Sequence, residues 1–303
     1  QMVSVVDIQG NSIGQSRLNL LDGLEPTVAI NHAADEALKL IEKLNISKSK
    51  IFGVGVGIAG TVNADTGQVI DAPNISSDWR DLSVGKILTE RLGISVRVES
   101  RANALLLAEH QLGVAREFQD ILLINLSLGI GGAVMVEGKL VRGRRHAAGH
   151  IGHMPMPDAK KVCLCSRIGC LDTLASGHSI LSKLGRLTQH ADSSKHGAFD
   201  AQELSMVLQE AEQGNAAAKS AFKEAGQYLG AALQWTTAAL QPQLIVLAGI
   251  PSRSVDFIEG VNTTYSDPDA APFVMSQITY ETATSELALN AFVYADGFEI
   301  VTI

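Results

Sequence analysis

A chain of 303 residues with 46% hydrophobic and 18% charged residues has an ordinary globular composition and room for one large or two average domains. Its net charge of −8 argues against nucleic-acid binding by this chain itself, because neutralising phosphates requires a basic surface. No apolar run reaches the roughly 18 residues of a membrane span and no charged n-region with an apolar core opens the chain; three clustered cysteines argue against a disulfide framework, so a reducing, cytoplasmic location is expected.

In chain order, residues 2–9 predict a strand, Gly10-Asn11 a turn, and 12–20 a second strand, making an opening hairpin. Apolar residues at Val28, Ile30, Ala33, Ala34, Ala37, Leu38 and Ile41 predict an amphipathic helix over 26–44. The strand over 51–58 sets Gly53, Gly55 and Gly57 at alternate positions and runs into Ala59-Gly60. A face bare of side chains admits a ligand or another backbone; helix-on-strand packing explains Gly53 and Gly55 equally well. Thr66-Gly67 and Pro73 mark turns. A short helix over 82–92 precedes a strand over 94–98, which ends in Glu99-Ser100-Arg101-Ala102-Asn103 before a helix over 104–113. Polar residues at such a junction are a favoured site location in α/β folds, and Asn103 is equally suited to satisfying backbone groups there.

Strand 121–126, the turn Ser127-Leu128-Gly129-Ile130-Gly131-Gly132 and strand 133–137 form a hairpin. Its glycines can turn backbone N–H groups toward an anion, although a tight hairpin needs glycine in any case. Helical patterns follow over 172–187, 200–212 and 216–240, with a polar loop over 192–197 and with Gly226 and Gly230 one turn apart in the longest. Strands over 244–247 and 276–280 and a helix over 286–295 complete the chain. Trp79 and Trp235 are expected to pack rather than to hold a ligand. Strands alternating with helices in both halves imply an α/β protein of two related lobes with a cleft between them.

All three cysteines, Cys163, Cys165 and Cys170, fall within eight residues, ten residues beyond His153. Three thiolates and an imidazole make a closed tetrahedral Cys3His set, the choice zinc favours in structural sites. The alternative, three small buried hydrophobes, sits poorly with Lys160, Lys161, Ser166 and Arg167 around them. His150 stays outside the set because four positions are already filled.

Several ordered segments resemble the ROK family of sugar kinases and repressors. Asp65-Thr66-Gly67 through Asn74 is similar to the segment after the family's first glycine turn, and VESRANALLLAE to its E-N-D-A-N-A helix start. LSLGIGGAVMVEGKLVRG is similar to its second phosphate hairpin, GHIGH to its G-E-x-G-H, and CLCSRIGCLD to its C-x-C-G-x-x-G-C-L-E zinc motif. The resemblance implies an actin-like ATPase (ribonuclease H-like) fold with an interlobe cleft and a zinc-binding loop. An N-terminal lobe would span 1–103, a C-terminal lobe 104–285 with the zinc loop at 150–172, and a helix over 286–303 would return to the first lobe. VSVVDIQGNSIGQSRL looks like the family's second strand and onward, so the first strand with its D-x-G-G-T phosphate loop is expected to be missing.

By the same resemblance, Gly60, Ser100, Asn103, His150, His153 and Asp172 are sugar-binding positions, and Gly129, Gly131, Gly132 and Gly249 nucleotide-binding ones. His153, Cys163, Cys165 and Cys170 would hold zinc, with His153 also shaping the sugar pocket. In the family's kinases the Arg101 position carries the aspartate that deprotonates the attacking sugar hydroxyl. Arginine stays protonated at physiological pH and cannot take that proton; an ion pair with Glu99 or Asp172 is its expected role. Ser100 stands for an asparagine, His150 for a glutamate, and Ser127-Leu128 for Gly-Thr, which weakens the case for ATP. The expected function is therefore a non-catalytic effector and dimerisation domain of a sugar-responsive transcriptional regulator, as a homodimer or dimer of dimers. It would bind sugar or sugar phosphate, reach DNA only through an upstream region, and have no membrane partner. An ATP-dependent sugar kinase and a degenerate scaffold binding neither sugar nor ATP are the alternatives.

Overall fold

The computed structural model describes residues 2–7, 11–18, 25–73, 75–157, 159–187, 197–265, 271–276, 278 and 299–302. Two compact units divide the chain: Gln1–Gly113 with Arg144–Ala147 and Ile278–Ile303, and Val114–Gly143 with Ala148–Gln277.

The first unit opens with β1 (Met2–Val6) and β2 (Ser12–Arg17), an antiparallel hairpin that pairs Val3 with Ser16 and Val5 with Gly14. Helix α1 (Pro26–Lys43) begins where the Glu25 carboxylate accepts hydrogen bonds from the Thr27 and Val28 N–H groups, with Pro26 in the first turn, where its missing donor matters least. Its Ala29, Ile30, Ala33, Ala34, Ala37, Leu40 and Ile41 are buried. Strand β3 (Ile51–Ile58) leads into a small hairpin of β4 (Thr61–Asn63) and β5 (Gln68–Asp71). Gly60 sits where a Cβ would lie 2.5 Å from Asp71 O, so close backbone approach accounts for this glycine. Helix α2 (Val84–Leu92) ends on the left-handed Gly93 and is followed by β6 (Val96–Ser100) and α3 (Arg101–Gln111).

The second unit carries the buried β7 (Ile121–Leu126), β8 (Ile130–Val136) and β9 (Lys139–Val141), then α4 (Asp172–Ala175), α5 (Gly177–Lys183), α6 (Gly197–Glu212), α7 (Ala216–Leu240), β10 (Leu244–Gly249), α8 (Val255–Thr264) and β11 (Phe273–Met275). β12 (Glu299–Thr302) belongs to the first unit. The sheet orders are β2-β1-β12-β3-β6 and β11-β10-β7-β8-β9. Read from β2 and from β9 respectively, each sheet has two antiparallel steps followed by two parallel ones. The two units thus repeat one α/β pattern. No helix among the described residues is long and apolar enough to cross a membrane.

Several expectations need correcting. The helix expected from Ala104 starts at Arg101, because the Ser100 hydroxyl accepts from Asn103 N–H and caps it. The single helix expected over 172–187 is two: Ser176 leaves the helical region at φ −79° and ψ 167°, and its hydroxyl caps α5 by accepting from Ser179 N–H. The strand placed over 276–280 lies earlier, at Phe273–Met275, and runs parallel to β10; Ser276 follows it, and 277, 279 and 280 lie outside the described residues, as do Gly10, Asn74 and the polar loop at 192–196. So does the whole of the helix expected over 286–295. The end of the 286–303 segment is strand, pairing antiparallel with β1 and parallel with β3. Trp79 is buried as expected, whereas Trp235 is 67% exposed. Helix α8 was not anticipated; Ser254 caps it by accepting from Phe257 N–H.

The second core centres on Leu122, Ile124, Phe222, Leu229, Phe257 and Val261. Here the Gly226–Gly230 spacing has its explanation. A Cβ on Gly226 would fall on the Phe257 carbonyl oxygen and one on Gly260 on the Lys223 carbonyl oxygen, so α7 and α8 meet backbone to backbone.

Candidate functional site

The second unit brings His153, Cys163, Cys165 and Cys170 together, with one donor atom from each lying within 4.8 Å of all the others. Local backbone makes this possible. His153 ends a 3-10 turn at Ile151–His153, while a short hairpin presents the cysteines, bridged at Val162↔Ile168 and tied to the turn's exit at Pro155↔Cys170. Its tip is closed by hydrogen bonds from Cys163 N–H to Arg167 O and from Ser166 N–H to Cys163 O, both 2.8 Å. Ser166 and Gly169 adopt φ of 67° and 77° to let the chain reverse twice in so few residues.

The donors are spaced for one ion. Cys163 Sγ lies 3.7 Å from His153 Nδ1, and Cys165 Sγ lies 3.6 Å from Cys170 Sγ. Two sulfurs on a tetrahedral centre with bonds of about 2.3 Å stand about 3.8 Å apart. Electrostatics agree with the distances. Burial, with the neighbouring thiols, pushes the Cys170 thiol up to about 12, and burial also raises that of Cys163. At Cys165 burial, the largest single effect, acts in the same direction, but hydrogen bonds with the backbone and side chain of Arg167 and with Cys163 and Cys170 together outweigh it and lower the thiol. Cys163 and Cys170 thus resist ionisation on their own, and a cation would favour their thiolates. All four donors come from the protein, so a tetrahedral ion here would have no open position. Arg167 was not singled out from the sequence as a partner of the cysteines; a basic residue between two metal-ligand cysteines was the available signal.

Two further residues of this unit stand on the flanks of the hairpin. Asp172, at the start of α4, is 6% exposed, and its Oδ1 accepts from Ile130 N–H at 2.6 Å. Burial raises its carboxyl to about 6, against the opposing effect of that hydrogen bond. His150 precedes the 3-10 turn, with its ring centroid 6.3 Å from that of His153. Burial, then the charge of Arg167, lowers its pKa and so favours the neutral ring. This segment lies directly on β8: a Cβ on Gly132 would fall on Gly149 O, and one on Gly152 on Ile130 O. Packing therefore explains Gly132. Gly131 pairs with Asn125 in the β7–β8 ladder, and the Gly129 carbonyl accepts from Ser127 N–H. Gly249, at φ +98°, packs against the Leu126 carbonyl.

In the first unit the junction of β6 and α3 is built on Glu99, a fully buried carboxylate. Its Oε1 accepts from Ser100 N–H at 2.9 Å and from Asn103 Nδ2 at 2.8 Å. Asn103 is 4% exposed, and its Oδ1 has no hydrogen-bond partner among the described residues. Sequence reasoning passed over Glu99 as an anchor; a Glu four residues before an Asn across a helix start was the signal. Arg101 occupies the first turn of α3, half-buried.

These features are found on a chain with many relatives. A glucokinase of Halalkalibacterium halodurans is 32% identical over 260 residues, covering 83% of this chain and 77% of that protein. A xylose repressor of Caldicellulosiruptor bescii is 24% identical over 241 residues, 78% of this chain, which spans 60% of the repressor's length. Among solved structures, a ROK family glucokinase from Streptomyces griseus in complex with glucose and AMPPNP superposes with a TM-score of 0.75 at 20% identity, covering 96% of this chain and 99% of that one. The ROK family profile matches residues 2–278, and the chain belongs to the ROK family.

Proposed function

We propose that this chain is the non-catalytic effector part of a sugar-responsive transcriptional regulator, braced by a structural zinc ion. The observation that carries the reading is Arg101. A proton acceptor is needed where the family's kinases place an aspartate, and a guanidinium cannot serve. The one carboxylate beside it in sequence, Glu99, is buried and engaged with Ser100 N–H and Asn103 Nδ2. Phosphoryl transfer depends on positioning, charge neutralisation and a residue that orients or deprotonates the nucleophile, and that last element is lacking. The xylose repressor at 24% identity supports a regulatory role.

Sugar or sugar phosphate is the ligand class. The unpartnered Oδ1 of the buried Asn103 supports it, since an acceptor in that state leaves a hydrogen bond for a ligand hydroxyl to fill. Ser100, by contrast, is occupied as a helix cap, and Gly60 by packing. His150 and Asp172 offer polar atoms on the segments that the metal ligands fix; His153 would bind zinc through one ring nitrogen, which orients the ring. Zinc would be held by His153, Cys163, Cys165 and Cys170 and would supply cross-linking rather than Lewis acidity. DNA reading falls to a segment outside this acidic chain, and ligand binding would act by favouring one of two conformational states. Dimerisation belongs to the same reading.

The test is ATP consumption across a panel of hexoses and amino sugars, run beside a thermal-shift screen of sugars and sugar phosphates. Background ATPase with at least one stabilising sugar is expected. Turnover above background overturns the reading in favour of an ATP-dependent sugar kinase, which the 32% identity with a glucokinase favours. Uniform silence in the thermal screen overturns it in favour of a scaffold.

A further inference from the structure

The hairpin that carries the cysteines has a face its donors do not use. Cys163 turns inward and is 4% exposed. Its neighbours Val162, in the bridge, and Leu164, in the turn that follows, are instead 71% and 56% exposed. Val162 is bridged antiparallel to Ile168; directly opposed residues share a face, and Ile168 is 66% exposed. Three aliphatic side chains of types usually buried are thus exposed within a span of seven residues, two of them directly opposed. At the root of the same hairpin lies an open depression of about 380 Å³, lined by Pro157, Ala159, Lys160, Lys161, Leu174 and Tyr228. The hairpin is also locally basic. Its root carries Lys160 and Lys161 in a chain of net charge −8, while the Arg167 side chain is engaged with Cys165.

We propose that this face is a docking surface for a partner protein that presents an acidic, apolar-bearing segment. Its apolar side chains lie along Val162, Leu164 and Ile168, one enters the depression against Leu174 and Tyr228, and its carboxylates face Lys160 and Lys161. Charge complementarity selects this occupant. A second copy meeting the first through this face on a two-fold axis would set Lys160 and Lys161 against their own equivalents. An anionic bilayer would be repelled by the rest of the chain, and the patch has no aromatic residue to hold an interface. A hairpin that a zinc ion would fix at Cys163, Cys165 and Cys170, as proposed above, would lose little conformational freedom on binding, the condition for a small patch to bind well.

The test uses the whole 303-residue chain. A random peptide library is selected on it and counter-selected on a Val162→Ser/Leu164→Ser/Ile168→Ser variant. Enriched sequences should pair Asp or Glu with Leu, Ile or Phe. A synthesised winner should lose about tenfold or more in affinity for the triple variant and, independently, for Lys160→Glu/Lys161→Glu, as central interface residues do. All five positions are exposed, so melting curves and metal content should match the parent. No enrichment, winners rich in Lys and Arg, or affinities unchanged in both variants overturn the proposal. So does self-association of the parent in sedimentation that the triple variant abolishes, which reassigns the face to a second copy. Binding to phosphatidylserine vesicles, lost in the same variant, reassigns it to a membrane.

Discussion

Cys165→Ser should open the metal hairpin while leaving the second unit folded. Residues 159–169 contribute no side chain to the fully buried apolar core other than Cys163. Ordering these eleven residues costs about 11–22 kcal/mol of backbone entropy. Against this stand hydrogen bonds from Met156 N–H to Gly169 O, Gly169 N–H to Lys161 O, Cys163 N–H to Arg167 O and Ser166 N–H to Cys163 O. Together they supply about 2–6 kcal/mol. The difference matches the ~10–16 kcal/mol of a structural zinc ion. Losing one ligand of four, at about a quarter of that, raises the open fraction roughly 100- to 1000-fold. Two measurements check this: zinc per chain by atomic absorption, and trypsin cleavage after Lys160, Lys161 and Arg167 followed by mass spectrometry. The parent should hold one zinc per chain and resist cleavage there, and the variant should lose both properties while its main melting transition persists. A metal-free Cys165→Ser protein as resistant as the parent would refute the reasoning.

Other substitutions probe the frame around the site. Gly260→Ala should destabilise the second unit by about 1–3 kcal/mol or more in urea unfolding, because the new methyl lands on the Lys223 carbonyl oxygen rather than on a movable side chain; a neutral result would mean α7 and α8 are not in backbone contact. Ser100→Ala removes the cap of α3 and should lower stability by about 1 kcal/mol in thermal denaturation, whereas Ser100→Thr, which retains a neutral hydroxyl acceptor, should lose less. Asp172→Ala leaves Ile130 N–H without its acceptor at about 1–3 kcal/mol, measured by chemical denaturation. Asp172→Asn keeps that bond and should lose less; equal losses would place the cost elsewhere.

How far the sequence could be read depended on distance along the chain. The metal set was legible because its four candidate ligands lie within 18 residues, 153–170, among charged and polar neighbours that fit a packing role poorly. Gly226 and Gly230 could be read as room for another element to pack close to the longest helix, but that this element is α8, itself not anticipated, could not. Ser100 and Ser176 were not legible, because a hydroxyl that caps a helix and one that meets a ligand look the same in sequence. At Ser176 the apolar periodicity continues on both sides and hides the break between α4 and α5. Trp235 was misjudged because composition identifies a large apolar residue but not the side of a 25-residue helix on which it falls. The partners of β12 were beyond reach for a different reason: pairing across nearly the whole chain leaves no local pattern.

That last strand has a consequence for how the protein is made. β12 lies between β1 and β3, so the first sheet has its middle supplied by Glu299–Thr302, the final described residues of the chain. During synthesis, which proceeds from the other end at about 5–20 residues per second, β1–β2 and β3–β6 form as two separate pairs with facing unpaired edges. They stay so while all of the second unit is translated and free to fold first. Open strand edges are templates for mispairing, and contacts of such sequence separation close slowly. The first unit is therefore the late and aggregation-exposed one, although four of the strands of its sheet are made before those of the second.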